Sequence, residues 1–488
     1  MFSPLHYLFS APRPPPADVR VVPCTGLDLC VRNVVLTTGF VIDARLDTKK
    51  LEDSLALLVE RKFPRAGARI ALRNDSYEFQ IPNTFDAQTP AVAFTTAEHP
   101  EPYASSLRPP IQHLWNASSS EPWICSAPPI EPYLRSHSCP GSLDAFLVPN
   151  TPLLHVHATV FDDLTLLGIT STHITFDALG ISTLMHGWQR VLAGDAWDDI
   201  PGMPWDAAPF GTFTTPTQGR MCQRGWFDLG LLGKLAFVVC LVWSIFRDPK
   251  EEKKVVRVPK VFLDNKKQEI MGELKAEGSE EWVGSSDVLM AWWFKTSYTH
   301  RTDATPLYIH LPVNVRDMSI FPGAYDTNEL APISTPFINN AVISIAIPPL
   351  LVNTLRSMSL RDLALHFRRA INSFKDDLEG IRADVRSLCA HPFSMILPCP
   401  PGADYSIQTN WRKGRLGELD FSGASVEEAG LKLRARVRYV TTLASGTRIP
   451  MRGTGVVLFE DEQAVWMRQF RGVTDWERTE NAGEFEFV

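Results

Sequence analysis

Two residues four positions apart, His173 and Asp177, are the best placed in this chain for acid–base chemistry; they lie in Ser171-Thr172-His173-Ile174-Thr175-Phe176-Asp177-Ala178-Leu179-Gly180. An imidazole titrates near pH ~6.5, so a neutral ring at physiological pH can take a proton from a hydroxyl. The carboxylate can fix the turn behind it. His155 and His157 sit upstream with the alternate spacing that puts both on one strand face. No cysteine or acid completes a ligand set with them and His173, so no metal is expected.

The elements that must position this pair are legible around it. Leu153 to Phe161 alternates in strand fashion, Asp162-Asp163 signals a turn, and Thr165 to Thr172 returns as a second β-rich run. Downstream, Ile181, Leu184, Met185, Trp188, Val191 and Leu192 recur at helical spacing, with Ser182, His186, Gln189 and Arg190 opposite. His186 reads as a helix-surface residue. The histidine therefore sits where a strand ends and a pocket can open. Elsewhere, Asp47 caps a helix bearing Leu51, Leu55, Leu58 and Val59, and Ser285-Ser286-Asp287 reads as the cap of another. Ser359 to Asp362 resembles a capping box opening a helix whose core face runs Leu360, Leu363, Ala364, Phe367, Ile371, Phe374 and Leu378. Arg434 to Leu443 and Val456 to Phe459 read as strands. Both halves are mixed α/β.

With 488 residues the chain exceeds one ordinary core, and two domains are expected. A net charge of -7 argues against nucleic-acid binding, which needs a basic surface. The eight cysteines show no zinc-like pairing and read as reduced, buried thiols. Met1 to Ser10 lacks the basic-then-apolar order of a secretory leader, which makes a cytoplasmic enzyme the default. Pro-rich stretches at Ala11–Pro16, Glu101–Pro132, Pro201–Gly219 and Pro398–Gly402 read as an arm, a loop, an inter-domain crossover and a turn. Leu235 to Phe246 is almost wholly apolar, within a longer window from Trp226, yet falls short of the ~20 residues of a spanning helix. It reads as a helix packed on the body of the protein, or as one lying on a membrane surface with Lys250, Lys253, Lys254 and Arg257 behind it.

Several separated motifs agree. They are His173 to Asp177, Ser285 to Trp292, Pro312-Val313-Asn314-Val315-Arg316, Phe337-Ile338-Asn339-Asn340-Ala341, Ser359 to Ile371, and Thr409-Asn410-Trp411 leading to Leu419-Asp420-Phe421-Ser422-Gly423. In order and spacing the chain resembles the BAHD-type CoA-dependent acyltransferases, in particular the fungal trichothecene acetyltransferase-like branch. Asp420-Phe421-Ser422-Gly423 stands where that family has Asp-Phe-Gly-Trp-Gly. The chain departs from the pattern at Thr172, where a second histidine is frequent, at Ala178-Leu179-Gly180, at Asn339, where glycine is common, and at Ser422-Gly423.

The resemblance implies two chloramphenicol-acetyltransferase-like domains with an active-site channel at their interface. The expected division is 1–205, a crossover 206–258 with the apolar segment, and 259–488, with part of about 420–445 joining the first domain. It implies His173 as general base and Thr409, with Trp411 nearby, as oxyanion donor. Asp177 and Arg316 become a structural clamp, and Asp420 sets a loop on the CoA side. Ser285, Ser286 and Asn340 become CoA contacts, with Arg412 and Lys413 available to phosphate. Acyl-CoA, most simply acetyl-CoA, is then a cosubstrate, and a small hydroxylated natural product is the acceptor. The protein acts as a monomer in a secondary-metabolite pathway, with membrane contact through 226–246 left open. A carrier-protein-dependent condensation enzyme and a non-catalytic binding member of the family are the alternatives.

Overall fold

In the computed structural model, residues 18–105, 111, 119–214, 222–323, 329–428, 431–432, 434–446, 450–483 and 486–487 are described. Met1–Ser10, Ala11–Pro16, 215–219 and parts of Glu101–Pro132 lie outside them. Strand Thr165–Thr172, which ends against His173, is buried at every residue. It lies at the centre of a five-stranded sheet ordered Val437–Ser445, Val35–Ile42, Thr165–Thr172, His155–Val160, Ala93–Glu98. Only the last pair is parallel. Being buried on both faces, the central strand reads as an apolar and threonine run rather than a strict alternation.

The second sheet has eight strands. Their order is Val342–Leu351, Pro306–Asn314, Asp404–Asn410, Thr454–Glu460, Ala464–Gly472, Glu251–Pro259, Trp123–Ser126, Glu486–Phe487. A smaller sheet joins Val19–Pro23, Ser76–Pro82 and Arg69–Arg73. The two large sheets exchange strands. Val437–Ser445 from the C-terminal part edges the first sheet, and Trp123–Ser126 from the N-terminal part lies within the second. Arg468 of the second sheet donates to Thr441 Oγ1 and Thr442 O of the first at 2.6 and 2.5 Å. One hydrophobic core runs through both, from Phe40 and Leu184 to Trp293 and Trp466.

Several local expectations hold. Asp47 caps Thr48–Lys62 by accepting from Lys50 N–H at 3.0 Å. Ser359 caps Leu360–Asp376 by accepting from Asp362 N–H at 3.0 Å. Others need correction. Leu378 belongs not to that helix but to the next, Leu378–Ala390, and is exposed, because Asp377 breaks the first and caps the second. The end of the expected crossover, Glu251–Pro259, is an interior strand, since Val255, Val256 and Val258 are buried between neighbouring strands. The loop Glu101–Pro132 likewise contains a sheet strand. Pro201 to Thr214 packs on the body: Arg65 donates to the carbonyls of Trp205 and Ala207, and Phe210 and Phe213 are buried. Cys30 and Cys240 are exposed rather than buried, and all eight cysteines are free.

The largest correction concerns the apolar segment. Leu231–Arg247 is a helix, but none of its residues is buried. It presents a broad apolar face outward instead of covering the core.

Helix Ala178–Ala193, which follows the His173–Asp177 turn, approaches the second half closely at Gly180. A Cβ there would lie 1.8 Å from the carbonyl oxygen of Ile338, a backbone atom with no room to yield. At Gly187 the neighbour is the Phe63 ring at 3.2 Å, which can shift. Gly180→Ala is therefore expected to cost about 1–3 kcal/mol or more, and Gly187→Ala markedly less. The thermal midpoints of the two purified variants check this; equal midpoints would contradict the close approach.

Candidate active site

The residues from His173 to Asp177 form a tight turn between strand and helix. Thr172 Oγ1 accepts from Ile174 N–H at 3.0 Å, Thr175 N–H reaches Thr172 O at 3.0 Å, and His173 N–H reaches Val34 O at 2.8 Å. Thr172, where the family pattern often has histidine, thus serves the turn itself. The outward carbonyls of this turn are held from the other half of the molecule. Asn340 Nδ2 donates to His173 O at 2.7 Å and to Ile174 O at 3.1 Å, and Asn339 Nδ2 donates to Thr175 O at 3.1 Å. Asn339 Oδ1 accepts from Arg65 Nη1 at 3.0 Å, so the residue standing at a common glycine position closes a buried bridge.

Asp177 completes the grip. Its two oxygens receive Arg316 Nη2 and Nη1, both at 2.9 Å, and the pair is almost fully buried. Oδ1 also caps the helix by accepting from Gly180 N–H at 2.7 Å, and Oδ2 accepts from Ala341 N–H at 2.9 Å. Arg316 donates further to Phe337 O at 2.8 Å and to Asn339 O. The carboxylate therefore faces the arginine and the helix, not the imidazole nitrogens, as the clamp reading expects.

His173 Nδ1 lies 3.1 Å from Asn340 Oδ1. The amide's orientation follows from its network: Nδ2 faces three acceptors, the carbonyls of His173 and Ile174 and Asp28 Oδ1 at 3.3 Å. Reversing it would set an oxygen against all three. Oδ1 can only accept, so Nδ1 carries the ring proton and Nε2 keeps its lone pair. Burial holds the imidazole below its ordinary range, partly offset by its own backbone carbonyl, Asp177 and Asn340. The result is a neutral ring with Nε2 as the free acceptor.

Asn340 is therefore not at a CoA surface, as first expected, but buried behind the histidine with its donors spent on the turn. Behind it stands Asp28, unmarked by any motif and 1% exposed. Asp28 Oδ1 accepts from Asn340 N–H at 3.2 Å, and Oδ2 accepts from Thr25 N–H and Oγ1 at 2.8 and 2.7 Å. Burial raises its carboxyl despite these four bonds. A Gly-Leu-Asp-Leu stretch after Thr25 signals a capped turn at most. Nothing local to it announces a partner 312 positions away.

A cavity of about 440 Å³ opens beside this arrangement, lined among others by Ser286, Asn314, Ile345, Thr409 and Lys413. Thr409 lies half-buried on strand Asp404–Asn410, in parallel register with Val456. Ser285 and Ser286 are not caps. Gly284 is the N-cap, its N–H bonded to Asp287 Oδ2 at 2.7 Å, and Asp287 pairs with Arg368. Ser286 Oγ instead accepts from Arg412, whose Nη1 also meets Glu460 at 3.1 Å. Ser285 does not line this cavity. Trp411 faces a smaller hollow of about 20 Å³ with Leu36, Thr38, Thr172 and Phe176. His173 lines neither. A third cavity, about 480 Å³, is lined by Glu131, Lys253, Thr442, Ala444 and Arg468, among others. Thr442 and Ala444 pair across the sheet with Thr38 and Leu36, which places this cavity next to the Trp411 hollow. Burial there brings the Lys253 ammonium down to about 8, with Arg468 adding to the effect.

His186 is partly buried, not a free surface residue. Its Nε2 meets Gly414 O at 3.0 Å, and Ser182 Oγ donates to the same oxygen at 2.6 Å. Asp420 is exposed and accepts from Ser422 N–H at 2.7 Å, while its N–H reaches Gln189 Oε1 at 3.2 Å. That loop packs on the helix after the His173–Asp177 turn and is absent from the lining of the large cavity. Among the described residues, no group of three or more His, Cys, Asp or Glu could hold a metal.

No family model matches the chain. It is 28% identical over 461 residues to acetyltransferase adrJ of Penicillium roqueforti, covering 86% of each chain. It is 26% identical to acetyltransferase pyiB of Pyricularia grisea, covering 94% of this chain and 93% of that one. It is also 26% identical to a protein of Penicillium decumbens named transcriptional regulator calD, covering 86% and 84%. Among solved structures, TRI101 of F. sporotrichioides complexed with coenzyme A and T-2 superposes with a TM-score of 0.63 at 14% identity, covering 94% of this chain and 96% of that one. Vinorine synthase gives 0.57 at 15% identity, covering 96% and 93%. The chain has the mixed α/β, two-domain fold of the BAHD acyltransferases.

Asp177→Ala strands a buried guanidinium and uncaps a helix, and is expected to lower stability by about 3–5 kcal/mol, read from thermal or denaturant unfolding. The depressed His173 keeps its neutral form below its ordinary titration point. The acid limb of any His173-dependent rate should therefore fall below pH ~6.5. The same depression contributes stability that is complete above pH ~6.5 and declines as pH drops through that value, where the unfolded chain takes up the proton first. Asn340→Leu removes a bond that favours the protonated ring, so it should move the acid limb lower still while reducing the rate. A limb that stays put would show that the amide does not act on the imidazole.

Proposed function

We propose that this chain, a BAHD-type acyltransferase by its fold and its relatives, transfers an acyl group from a CoA thioester to a hydroxyl of a small molecule, with His173 as general base. The observation that carries the proposal is the Asn340 amide, whose fixed orientation leaves His173 Nε2 unprotonated in a neutral, half-buried ring. Nε2 takes the hydroxyl proton as the alcohol oxygen attacks the thioester carbonyl. The tetrahedral intermediate carries its negative charge on the former carbonyl oxygen, for which the Thr409 hydroxyl is the proposed donor. Collapse breaks the carbon–sulfur bond, and the departing thiolate receives the proton from the imidazolium. Both substrates are held together, so no acyl-enzyme is needed.

The donor side of this reading is the cavity lined by Ser286, Thr409 and Lys413, where the first turn of Ser285–Ser297 and nearby Lys375 suit an anionic cofactor. The acceptor side is the chain of hollows by Trp411 and Lys253, which lies on the face of the first sheet carrying Leu36 and Thr38. Acetyl-CoA is the simplest donor, consistent with relatives named acetyltransferases. A hydroxylated natural product is the matching acceptor.

A second reading, a family member that binds without catalysing, draws on the relative named a transcriptional regulator. The intact His173–Asn340–Asp28 arrangement favours catalysis, because a binding protein has no need of a neutral imidazole with a fixed tautomer. Two measurements separate them. CoA at ~100 times its dissociation constant should stabilise the protein by about 2.7 kcal/mol, and pantetheine alone should do far less. His173→Ala should retain that CoA-dependent shift yet lose ~10²-fold or more in acyl transfer. Undiminished turnover in the variant would remove His173 as the base; a CoA shift without turnover on any acceptor would favour the binding reading.

A further inference from the structure

The helix Leu231–Arg247 is the largest feature that acyl transfer leaves unexplained. It touches the protein along one stripe, Gly233, Phe237, Leu241 and Ile245, each partly buried. Lys234 is also partly buried, and the remaining residues face out. Leu232 is 82% exposed, Phe246 75%, and Leu235, Val239, Val242 and Trp243 are each more than half exposed. A contiguous exposed apolar face of this kind marks an interaction surface.

Its chemistry is uniform. Between Leu235 and Trp243 no residue carries a hydroxyl, amide or charge. Ser244 turns its hydroxyl back onto Leu241 O at 2.8 Å. No acid occurs between Asp228 and Asp248, and Lys234, Arg247 and Lys250 stand at the two ends beside Asp228, Asp248, Glu251 and Glu252. Trp243 stacks on Phe246 with centroids 5.9 Å apart, and the Arg247 guanidinium lies 5.2 Å from the Trp243 ring. An aromatic pair capped by a cation suits the headgroup boundary, where one side is apolar and the other wet.

The helix is also held in place. Lys234 pairs with Asp228 at 2.9 Å, and Arg452 donates to the carbonyls of Ser244 and Asp248, covering its C-terminal end. At 17 residues it is roughly 25 Å long, and no helix among the described residues is long and apolar enough to cross a membrane. A protein partner sets its register through polar groups around an apolar centre, and this outward face has none along its middle. Lipid tails need none.

We infer that Leu231–Arg247 docks the protein on a lipid bilayer surface, lying in the interface with Leu232, Leu235, Val239, Trp243 and Phe246 inserted and the end cations at the phosphates. This stands apart from the reading of His173, and neither depends on the other.

The test is flotation of the full chain with phosphatidylcholine vesicles, with and without phosphatidylserine, beside the triple variant Val239→Ser, Trp243→Ser, Phe246→Ser. These side chains leave the core untouched, so the variant should keep the wild-type melting temperature and CoA-dependent stabilisation. The expected result is wild-type protein floating with both vesicles, more strongly with phosphatidylserine, and the variant bound at least ~10-fold less. Wild-type protein that stays unbound with both vesicles overturns the inference. So does a variant that floats as well as wild type. Concentration-dependent self-association in sedimentation, lost in the variant and without flotation, would assign the face to a second copy instead.

Discussion

The buried ion pair of Asp177 and Arg316 is the constraint on which the rest of the site depends. A desolvated carboxylate is tolerated only when its lone pairs are filled, and here four donors from two different parts of the chain fill them. Two of those donors, the Gly180 and Ala341 N–H groups, belong to the elements that meet at the junction. The charge pair thereby fixes where the helix begins and where the Phe337–Ala341 loop lies. The His173–Asp177 turn between them is held by this pair as well as by its own hydrogen bonds.

Polar economy explains the remainder of the centre. A strand-to-helix turn exposes carbonyls that a dry interface would leave unpaired, and Asn339 and Asn340 supply donors to three of them in succession. The second asparagine then has one oxygen left, and it accepts from the His173 Nδ1–H. Tautomer and turn geometry are thus set by the same side chain. Asp28 stabilises that amide from behind without a hydrogen bond to the His173 ring.

Much of this was readable in the residues. The junction at His173 and Asp177 and the helices opened by Asp47 and Ser359 each have a local signature of spacing or capping, whereas the partner Arg316 followed only from the family resemblance. What escaped reading was long-range. Asp28 has no signature because its role is set by a contact across the whole fold. Asn340 was legible as part of a motif but not as facing inward. The Leu231–Arg247 helix misled for a different reason: apolar composition implies removal from water but does not say whether protein or something else does the removing. Ser285 and Ser286 looked like caps because the side chain at position 284, a glycine, offers nothing to notice.

Strand Val437–Ser445, which closes one edge of the first sheet, has a consequence for how the protein is made. Its neighbour Val35–Ile42 leaves the ribosome roughly four hundred residues earlier. At ~5–20 residues per second, that apolar edge waits roughly 20 to 80 s for its partner. Throughout that interval its unpaired N–H and C=O groups form a template open to any passing strand. Production of this protein in a cell should therefore be governed less by final stability than by what shields the nascent edge, and the N-terminal half expressed alone would carry that open edge permanently.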